Sequence, residues 1–440
     1  MSKNLVIVES PAKSKTIEKY LGSDYKVLSS KGHIRDLATS GKYGFGVDIE
    51  DGFKPNYEPI KGKKKDIAEL KKEVKNAEKV YLATDPDREG EAISWHLKDA
   101  LGIDDKDYER IVFNEITKNA VVNSFKNARK IDDLMVRSQE TRRILDRIIG
   151  FRLSKLMQSK TGGKSAGRVQ SVALKLIVDR EEEIEKFIPE EYWNIYANLE
   201  DENSRKQFEA KFYGKNGKKL EIHKQEEVDE ILKNIESAKY IVKEVKRGEK
   251  KRNAAPPFTT STMQQEASRK LGFTLKKTMS VAQMLYEGVK IPEKGSVGLI
   301  TYMRTDSTRI SEVARQSAKE HIIKTYGEQY YENRYYKTKK DSQDAHEAIR
   351  PTYAELEPDK IKDSLTNDQY KLYKLIYNRF MASQMSSAIY NTMAVTIDAN
   401  NYTFKANGQS IKFKGFMTLY VEGTDIQEQE EGMLPNLEEN

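Results

Sequence analysis

Apolar and polar positions in the first third of the chain follow a pattern that predicts strands alternating with helices. The apolar run Asn4–Glu9 predicts a buried strand, and Ser10 with Pro11 predicts the N-cap and first turn of a helix that ends at Leu21. Strands that alternate with helices indicate a mainly parallel sheet. The other predicted strands are 25–30, 79–84 and 110–114, and the other predicted helices are 67–77 and 89–101.

The pattern changes twice after residue 131. Residues 132–190 have helical periodicity and many arginines, whereas two later blocks alternate apolar and polar residues as half-exposed strands do. A mostly helical stretch separates these blocks, so we predict an inserted helical domain, with a hinge at Lys246–Arg252 and Pro256-Pro257. The predicted strands of the two blocks are Trp193–Leu199, Phe208–Tyr213, Tyr240–Val245, Thr392–Asp398 and Tyr402–Ala406.

A chain of 440 residues is too long for one hydrophobic core. We predict a multidomain α/β plus α fold. Residues 37–62 fit either the first or the second of its domains. The predicted domains are a parallel α/β domain at 1–131, an arginine-rich helical domain at 132–190, a β-rich domain at 191–255 and 388–426, the inserted helical domain at 256–387 and an acidic linker, cut short, at 427–440.

Composition narrows the class of protein. The chain has no cysteine, which excludes disulfides, thiol catalysis and thiolate zinc sites within it. No apolar run is long enough for a membrane span and the first residues lack a signal-peptide layout, so we expect a cytoplasmic protein. The net charge of +7 suits a polyanionic partner, although many proteins with that charge bind no nucleic acid.

An acidic turn lies between a predicted strand and the following helix. Asp85, Asp87, Glu89 and Glu91 place four carboxylates within seven residues, and such groups repel one another unless a cation lies among them. Mg²⁺ suits the site because it binds a few carboxylates and keeps waters for a phosphate substrate. Glu9 ends the first strand, and a parallel sheet brings it to the same edge. For Glu91 a solvated helix N-terminus is an equal alternative.

Glu9 and the Asp-x-Asp-x-Glu turn together resemble the Toprim catalytic domain, which primases, nucleases and topoisomerases share. Further segments occur in the order found in bacterial type IA DNA topoisomerases, and this resemblance covers the whole chain. The segments are Val8–Lys13, Gly32–Leu37, Phe113–Thr117, Ser165–Ser171, Pro257–Thr262, Gly298–Ser307 and Ala345–Pro351.

The resemblance implies a tyrosine nucleophile at Tyr302. If Leu299–Arg304 is extended, Tyr302 and Arg304 point to one side. Only about one phenol in a thousand is ionised at neutral pH, so a neighbouring guanidinium is needed to stabilise the developing charge. The family also implies that Lys13 contacts the scissile phosphate. The predicted catalytic residues are Tyr302, Arg304, Glu9 and Lys13, and the predicted metal ligands are Glu9, Asp85, Asp87 and Glu89.

The same resemblance implies a groove for single-stranded DNA. Surface ion pairs are the alternative for the charged residues, and core packing is an equal alternative for Phe151 and Gln158. The glycine in the Ser165–Gln170 turn fits a close approach of backbone to phosphates. The predicted DNA contacts are His33, Arg142, Arg143, Asp146, Phe151, Gln158, Ser165, Ala166, Gly167, Arg168, Val169, Gln170, Arg304 and His346.

Three other features carry less weight. Tyr330, Tyr331, Tyr335 and Tyr336, with Arg334 and Lys337 among them, form either a base-stacking platform or a plain surface loop. His96, His223 and His321 are interpreted as structural or surface residues. Gly162–Ser165 looks like the end of a P-loop, but Gln158 stands where its first glycine is required, so we predict no nucleotide site.

The family resemblance implies relaxation of negatively supercoiled DNA without ATP, through a 5′-phosphotyrosine intermediate, strand passage and religation. We expect a monomer that uses Mg²⁺, acts on single-stranded segments at the nucleoid and binds no membrane. The alternatives are a decatenase of the topoisomerase III type, a Toprim nuclease or primase, and a DNA-binding fragment without catalysis. The sequence leaves the roles of Glu91 and Glu115 open.

Overall fold

The computed structural model of the chain describes residues 4–292, 294–336, 346–423 and 433–439. By their internal contacts the residues form two compact units. The first consists of Met1–Glu182, Pro256–His321 and Tyr335–Phe380, and the second of Glu183–Ala255, Ile322–Arg334 and Met381–Asn440.

A four-stranded parallel sheet begins the first unit. Its strands lie in the order Tyr25–Ser29 (β2), Asn4–Val8 (β1), Lys79–Leu82 (β3) and Tyr108–Arg110 (β4). Apolar side chains such as Leu5, Ile7 and Leu82 pack against Ile93 and Leu97 of the helix that follows β3. The predicted α/β alternation is therefore confirmed. The elements are β1 Asn4–Val8, α1 Pro11–Leu21, β2 Tyr25–Ser29, α2 Lys64–Asn76, β3 Lys79–Leu82, α3 Arg88–Leu101, β4 Tyr108–Arg110 and α4 Lys118–Ser124, with the short paired strands Arg35–Leu37 with Tyr57–Pro59 and Val47–Asp48 with Lys54–Pro55.

The predicted strand at 110–114 is wrong, because β4 ends at Arg110. Beyond it, the carbonyl of Asn114 accepts a hydrogen bond from Tyr302 and that of Ile116 accepts one from Gly298. Backbone carbonyls beyond β4 are thus hydrogen-bonded to a distant segment of the chain instead of to a neighbouring strand.

Two long helices follow the sheet, α5 Asp133–Thr161 and α6 Arg168–Glu185. Asp132 caps α5, and Gly162 ends it in a left-handed conformation with φ of 70°. The predicted helical stretch is confirmed, with a break at 162–167. Within the described residues, no side chain of α6 is buried.

The second unit contains an antiparallel sheet. Its strands lie in the order Lys218–Lys219 (β7), Gln207–Lys215 (β6), Tyr402–Phe413 (β10), Ala388–Ala399 (β9) and Ile241–Arg252 (β8), and Tyr196–Glu200 (β5) pairs with β6. Val395, Ile397 and Phe404 belong to the core that its inner face shares with helix α7. Its elements are β5 Tyr196–Glu200, β6 Gln207–Lys215, β7 Lys218–Lys219, α7 Gln225–Ile235, β8 Ile241–Arg252, β9 Ala388–Ala399 and β10 Tyr402–Phe413.

Two predictions for this region are corrected. Lys246–Arg252, predicted as a hinge, is the second half of β8 and pairs with Ala388–Ala394. A partner strand provides hydrogen bonds for the backbone N–H and C=O groups whatever the charge of the side chains. In the predicted linker, Leu437 is buried in the core of the sheet. Residues 427–432 and 440 of that stretch lie outside the described residues.

The stretch between β8 and β9 is mainly helical, as predicted. Its paired strands Val289–Ile291 and Gly295–Val297 lead to the segment that contains Tyr302. Among the described residues, no helix is both long and apolar enough to cross a membrane. The helices are α8 Thr260–Leu271, α9 Leu275–Glu287, α10 Glu312–Tyr326 and α11 Asn367–Ser383.

Candidate active site and nucleic-acid groove

The acidic turn connects β3 to α3 and fixes two aspartates at the carboxyl end of the sheet. The Asp87 side chain caps α3, since its Oδ1 accepts a hydrogen bond of 2.8 Å from the Gly90 backbone. A Cβ on Gly90 would lie 2.2 Å from the Asp85 carbonyl oxygen. Only glycine therefore allows the helix to begin this close to Asp85.

Lys13 joins the first strand to this turn. Its Nζ donates to Glu9 Oε1 at 2.7 Å and to Asp85 Oδ1 at 2.9 Å, and its side chain is fully buried. Burial raises the pKa of Glu9 to about 8 despite the nearby Lys13. Burial also opposes ionisation of Asp85, but Lys13, Glu9 and Arg304 together outweigh it and keep the pKa of Asp85 below its usual value. The cluster thus contains one carboxyl that holds a proton at neutral pH and one that does not.

The Tyr302 hydroxyl reaches the acidic turn from a segment 215 residues away, donating to Asp87 Oδ2 at 2.6 Å. Its ring meets Tyr286 edge-on, with the ring centroids 5.4 Å apart, and its side chain is 4 % exposed. Burial, then the Asp85 and Asp87 carboxylates, raises the pKa of Tyr302 far above its usual value. The phenol is therefore protonated, with its hydrogen directed at a carboxylate that can accept it.

One cleft of about 560 Å³ contains the predicted metal ligands and the predicted nucleophile. The segment around Tyr302 forms an isolated bridge, Ile300 with Pro351, rather than a regular strand. Tyr302 and Arg304 nevertheless open to the same cleft, as their spacing predicted. The predicted residues that line it are Glu9, His33, Asp85, Asp87, Glu89, Tyr302 and Arg304.

The oxygen donors that line the cleft are of the type that a magnesium ion binds. Glu9 Oε2 is buried and has no hydrogen-bond partner within the described residues, so it is available to a ligand. The other carboxylates are engaged: Asp85 with Lys13, Asp87 with Tyr302, and Glu89 with Gln139 at 3.0 Å. Among the residues that the structure describes, no three acidic or histidine side chains are close enough to enclose an ion. Binding would therefore require rearrangement of these contacts.

Glu91 faces away from the cleft, so neither interpretation that the sequence left open applies to it. It is 1 % exposed, and it accepts hydrogen bonds from Arg110 Nε at 3.0 Å, from Arg129 at 2.7 Å and from the Asp132 backbone at 2.7 Å. Arg110 is itself fully buried and donates to the Asp85 carbonyl at 2.8 Å. Glu91 thereby connects the acidic turn to the start of α5.

A second cleft, of about 390 Å³, lies beside the first and shares His33 and Glu89 with it. Arg142, Arg143 and Asp146 of α5 line it. Arg143 donates two hydrogen bonds to Asp36, at 2.9 and 2.5 Å. The predicted arginines of α5 thus line a cleft that shares residues with the cleft of the predicted nucleophile.

The turn after α5 folds back along that helix. Arg168 donates to Asp146 at 2.9 Å, Ala166 exchanges two hydrogen bonds with Ser154 at 3.1 Å, and Gln158 donates to the Lys164 carbonyl at 2.8 Å. Asp146 and Arg168 form the surface ion pair that was the alternative to DNA contact. The two interpretations are compatible, because a half-exposed arginine can exchange this partner for a phosphate. Ser165, Gly167, Val169 and Gln170 occupy the same turn and the first turn of α6.

Two other predicted DNA contacts pack against protein groups, although Phe151 stays 40% exposed. Phe151 packs against Phe45, with ring centroids 6.1 Å apart, and lies under the Arg147 guanidinium. His346 is buried, with Nε2 2.9 Å from the Pro86 carbonyl oxygen. His346 therefore supports the acidic turn in this structure, and its contact with DNA stays a prediction.

The tyrosine-rich segment divides between the two units. Tyr330 packs against Phe413 at 4.9 Å, whereas Tyr335 is exposed and lies 4.1 Å from the Arg315 guanidinium. Base stacking by this segment stays a prediction. Lys337 and Ala345 lie outside the described residues.

The structure also identifies site residues that the sequence did not indicate. Tyr286 is fully buried against Tyr302, and its hydroxyl has no hydrogen-bond partner within the described residues. Arg35 lines the second cleft and donates to His96 Nδ1 at 3.2 Å. Arg35 lies inside Gly32–Leu37, one of the segments that carry the family resemblance, so the sequence could have indicated it. No local sequence feature distinguishes Tyr286 from the other tyrosines among the 24 of the chain.

Two protein families and a solved structure match this chain. Residues 4–116 match the Toprim domain family, and residues 130–440 match a family described as DNA topoisomerase. The structure is similar to that of full-length topoisomerase I from Thermotoga maritima, with a TM-score of 0.83 and 40% sequence identity. That match covers 99% of this chain and 69% of the Thermotoga chain.

Proposed function

This chain belongs to the bacterial type IA DNA topoisomerases, which are isomerases, and on that premise we propose that it relaxes negatively supercoiled DNA without ATP. The observation that carries the proposal is the 2.6 Å hydrogen bond from the Tyr302 hydroxyl to Asp87 in a cleft that also contains Glu9 and Arg304. A nucleophile, a proton acceptor, a proton donor and a cation lie together, which is what exchange of a phosphodiester bond requires.

Cleavage begins when a single-stranded segment of underwound duplex binds along Arg142, Arg143 and Arg168. The Tyr302 oxygen attacks a backbone phosphorus, and its proton passes to Asp87. The bond from phosphorus to the 3′ oxygen breaks, and that oxygen takes the proton that Glu9 holds at neutral pH. The products are a 5′-phosphotyrosine and a free 3′ hydroxyl.

Charge stabilisation comes from the cations around the cleft. Arg304 is exposed in the cleft, and its guanidinium can donate to the phosphate oxygens as negative charge develops. Lys13 donates to both Glu9 and Asp85 and offsets the negative charge of Asp85. Mg²⁺, held by Glu9, Asp85 and Asp87 with Glu89 nearby, would supply positive charge that holds the phosphate for religation.

Strand passage requires Tyr302 to move away from the acidic turn with the inserted helices. We call the boundary between residues 4–131 and 256–380 of the first unit the gate. Because a phosphodiester is exchanged for a phosphotyrosine ester, bond energy is conserved and supercoiling drives the cycle, so no nucleotide is needed. The Val8–Lys13 and Gly32–Leu37 segments favour relaxation over decatenation.

The test is incubation with single-stranded DNA and Mg²⁺, followed by denaturation. We expect a covalent adduct that retains a label at the 3′ end of the DNA and loses one at the 5′ end. Tyr302→Phe should abolish the adduct, and Tyr335→Phe, which removes an exposed hydroxyl, should leave it unchanged.

Other outcomes identify the competing functions. Cleaved DNA without an adduct would indicate a Toprim nuclease, and binding without cleavage would indicate a non-catalytic fragment. Decatenation that greatly exceeds relaxation would indicate a topoisomerase III-type enzyme. An adduct that survives Tyr302→Phe would contradict the proposed nucleophile.

A further inference from the structure

The nucleophile segment is docked on a short stretch of backbone between β4 and α4. The Tyr302 N–H donates to the Asn114 carbonyl at 2.8 Å, and the Gly298 N–H donates to the Ile116 carbonyl at 3.0 Å. A Cβ on Gly298 would lie 2.5 Å from the Tyr286 carbonyl oxygen and 3.2 Å from Ile116 Cβ. The two stretches are therefore packed as closely as their backbones allow.

Glu115 lies between these two carbonyl groups, and its side chain crosses the gate. Its Oε2 accepts a 2.8 Å hydrogen bond from Arg350. Arg350 is buried, and it also donates to Glu347 Oε2, at 2.9 Å from Nε and 2.5 Å from the terminal nitrogen. The contact thus joins the Toprim domain to the inserted helices by a charged hydrogen bond.

Arg350 is also joined to the nucleophile through the backbone. The Thr301 N–H donates to the Arg350 carbonyl at 2.9 Å, and the Arg350 N–H donates to Thr301 Oγ1 at 2.9 Å. Thr301 directly precedes Tyr302. A force on the Arg350 side chain is therefore transmitted to the nucleophile through a single residue.

We propose that Glu115 and Arg350 form a reversible latch that holds the gate closed and thereby positions Tyr302 over the acidic turn. The proposal deepens the proposed function and rests on it. Glu115 is a positioning residue, because it acts on the tyrosine through Arg350 and Thr301.

The arrangement of partners makes the latch reversible. If the gate opens, Arg350 keeps Glu347, which belongs to the same group of helices, so no buried cation is left unpaired. The Glu115 side chain is 20% exposed and accepts a 3.0 Å hydrogen bond from Thr117 in its own domain. Both charges therefore keep a hydrogen-bond partner in the open state. Breaking the latch thus adds only a moderate free-energy cost to opening the gate.

Religation requires the closed state, because the phosphotyrosine must meet the 3′ hydroxyl at the acidic turn. A weaker latch shifts the cleaved enzyme towards the open state, so more DNA should remain attached to the protein. For Glu115→Gln we expect the ratio of adduct to religated DNA to rise about tenfold, equivalent to about 1.4 kcal/mol. Glutamine keeps the size of the side chain and removes its charge.

The matched control is Glu355→Gln. It removes the carboxylate of a 3.0 Å ion pair with Lys294, and both residues lie in turns within residues 256–380, on one side of the gate. The same charge is lost from an ion pair that lies on one side of the gate, so the adduct ratio should not change.

A conformational measurement makes the latch testable without chemistry. Because the chain has no cysteine, dyes can be attached specifically to Glu69→Cys on α2 and Asp363→Cys before α11, both exposed positions. In a Tyr302→Phe background with bound single-stranded DNA, Glu115→Gln should increase the population with low energy transfer about tenfold.

The outcomes separate the latch from the proposed function. If the folded Glu115→Gln protein has the adduct ratio and the energy transfer of its parent, the latch is wrong. A parent protein that forms no adduct contradicts the proposed function, and the energy-transfer experiment then still tests the latch by itself. A rise of equal size in Glu355→Gln would also overturn it, since the effect would follow from charge alone.

Discussion

His96 differs from the charged residues buried around the cleft, because it is buried as a neutral ring. It is 3 % exposed, and its Nδ1 accepts the hydrogen bond from Arg35. Burial, and then the positive charge of Arg35, lowers the pKa of His96 to about 3. The ring thereby holds Arg35 in the second cleft, and protonation would convert this acceptor into a donor facing a cation.

His96 predicts a dependence of stability on pH. Its folded-state pKa lies below the unfolded value near 6.5, so the stabilisation is complete above pH 6.5 and is lost as the pH falls towards 3. Between pH 7 and 4.5 the parent should lose about 2–3 kcal/mol more of its free energy of unfolding than His96→Asn, which keeps an acceptor but cannot be protonated. Urea unfolding at the two pH values measures this difference.

The control is His223→Asn, which changes an exposed histidine. It should lose as much stability as the parent over the same pH range. An identical loss in the parent and in His96→Asn would mean that His96 protonates freely in the folded protein.

At the scale of elements, the acidic turn is held from behind by a buried ion pair. Arg110 of β4 donates to the carbonyls of Leu82, Thr84 and Asp85, and Glu91 of α3 balances its charge. Burial lowers the pKa of Arg110, while Glu91 acts in the opposite direction. The geometry of the turn therefore depends on two charges that never contact the cleft.

Removing one of these charges should be costly. Glu91→Gln leaves Arg110 buried without a full counter-charge, and we expect a loss of about 3–5 kcal/mol in the free energy of unfolding. The exposed pair Lys175 and Asp179 provides the control, since Asp179→Asn should cost less than about 0.5 kcal/mol. Equal unfolding midpoints in urea for the two variants would show that the buried pair is dispensable.

The sequence predicted elements well where the signal was local. Ser10 with Pro11 marks the start of α1, and Gly102 follows the end of α3 in a left-handed conformation. Prediction from the sequence failed where contacts with distant segments determine the local structure. The basic run at 246–252 became a strand only because β9 pairs with it. The carbonyls of Asn114 and Ile116 accept hydrogen bonds from the nucleophile segment instead of from a neighbouring strand.

At the scale of the whole molecule, the site could be predicted in content but not in arrangement. The recognised segments supplied Glu9, Asp85, Asp87 and Tyr302, and all four line one cleft. Which carboxylate accepts the phenolic hydrogen depends on two segments that meet across 215 residues of sequence. No local pattern encodes such a meeting, and the Glu115–Arg350 contact was missed for the same reason.

The groove beside this cleft predicts how DNA binding depends on salt. Each phosphate contact to a single strand contributes about 0.7 to the slope of log affinity against log salt concentration. Arg142→Gln should lower that slope by about 0.7, whereas Lys71→Gln, an exposed change on α2 outside both clefts, should not. Fluorescence anisotropy with a labelled oligonucleotide measures the slopes, and equal slopes for the two variants would place the DNA elsewhere.

The burial of Tyr302 has a consequence for how the resting enzyme tolerates chemical damage. Its phenol is 4 % exposed, whereas that of Tyr335 is 71% exposed. Nitrating or iodinating agents dissolved in water should consume the peripheral tyrosines first. During turnover the same oxygen leaves Asp87 only as a phosphate ester, which such agents attack poorly, so the nucleophile should be protected in both states.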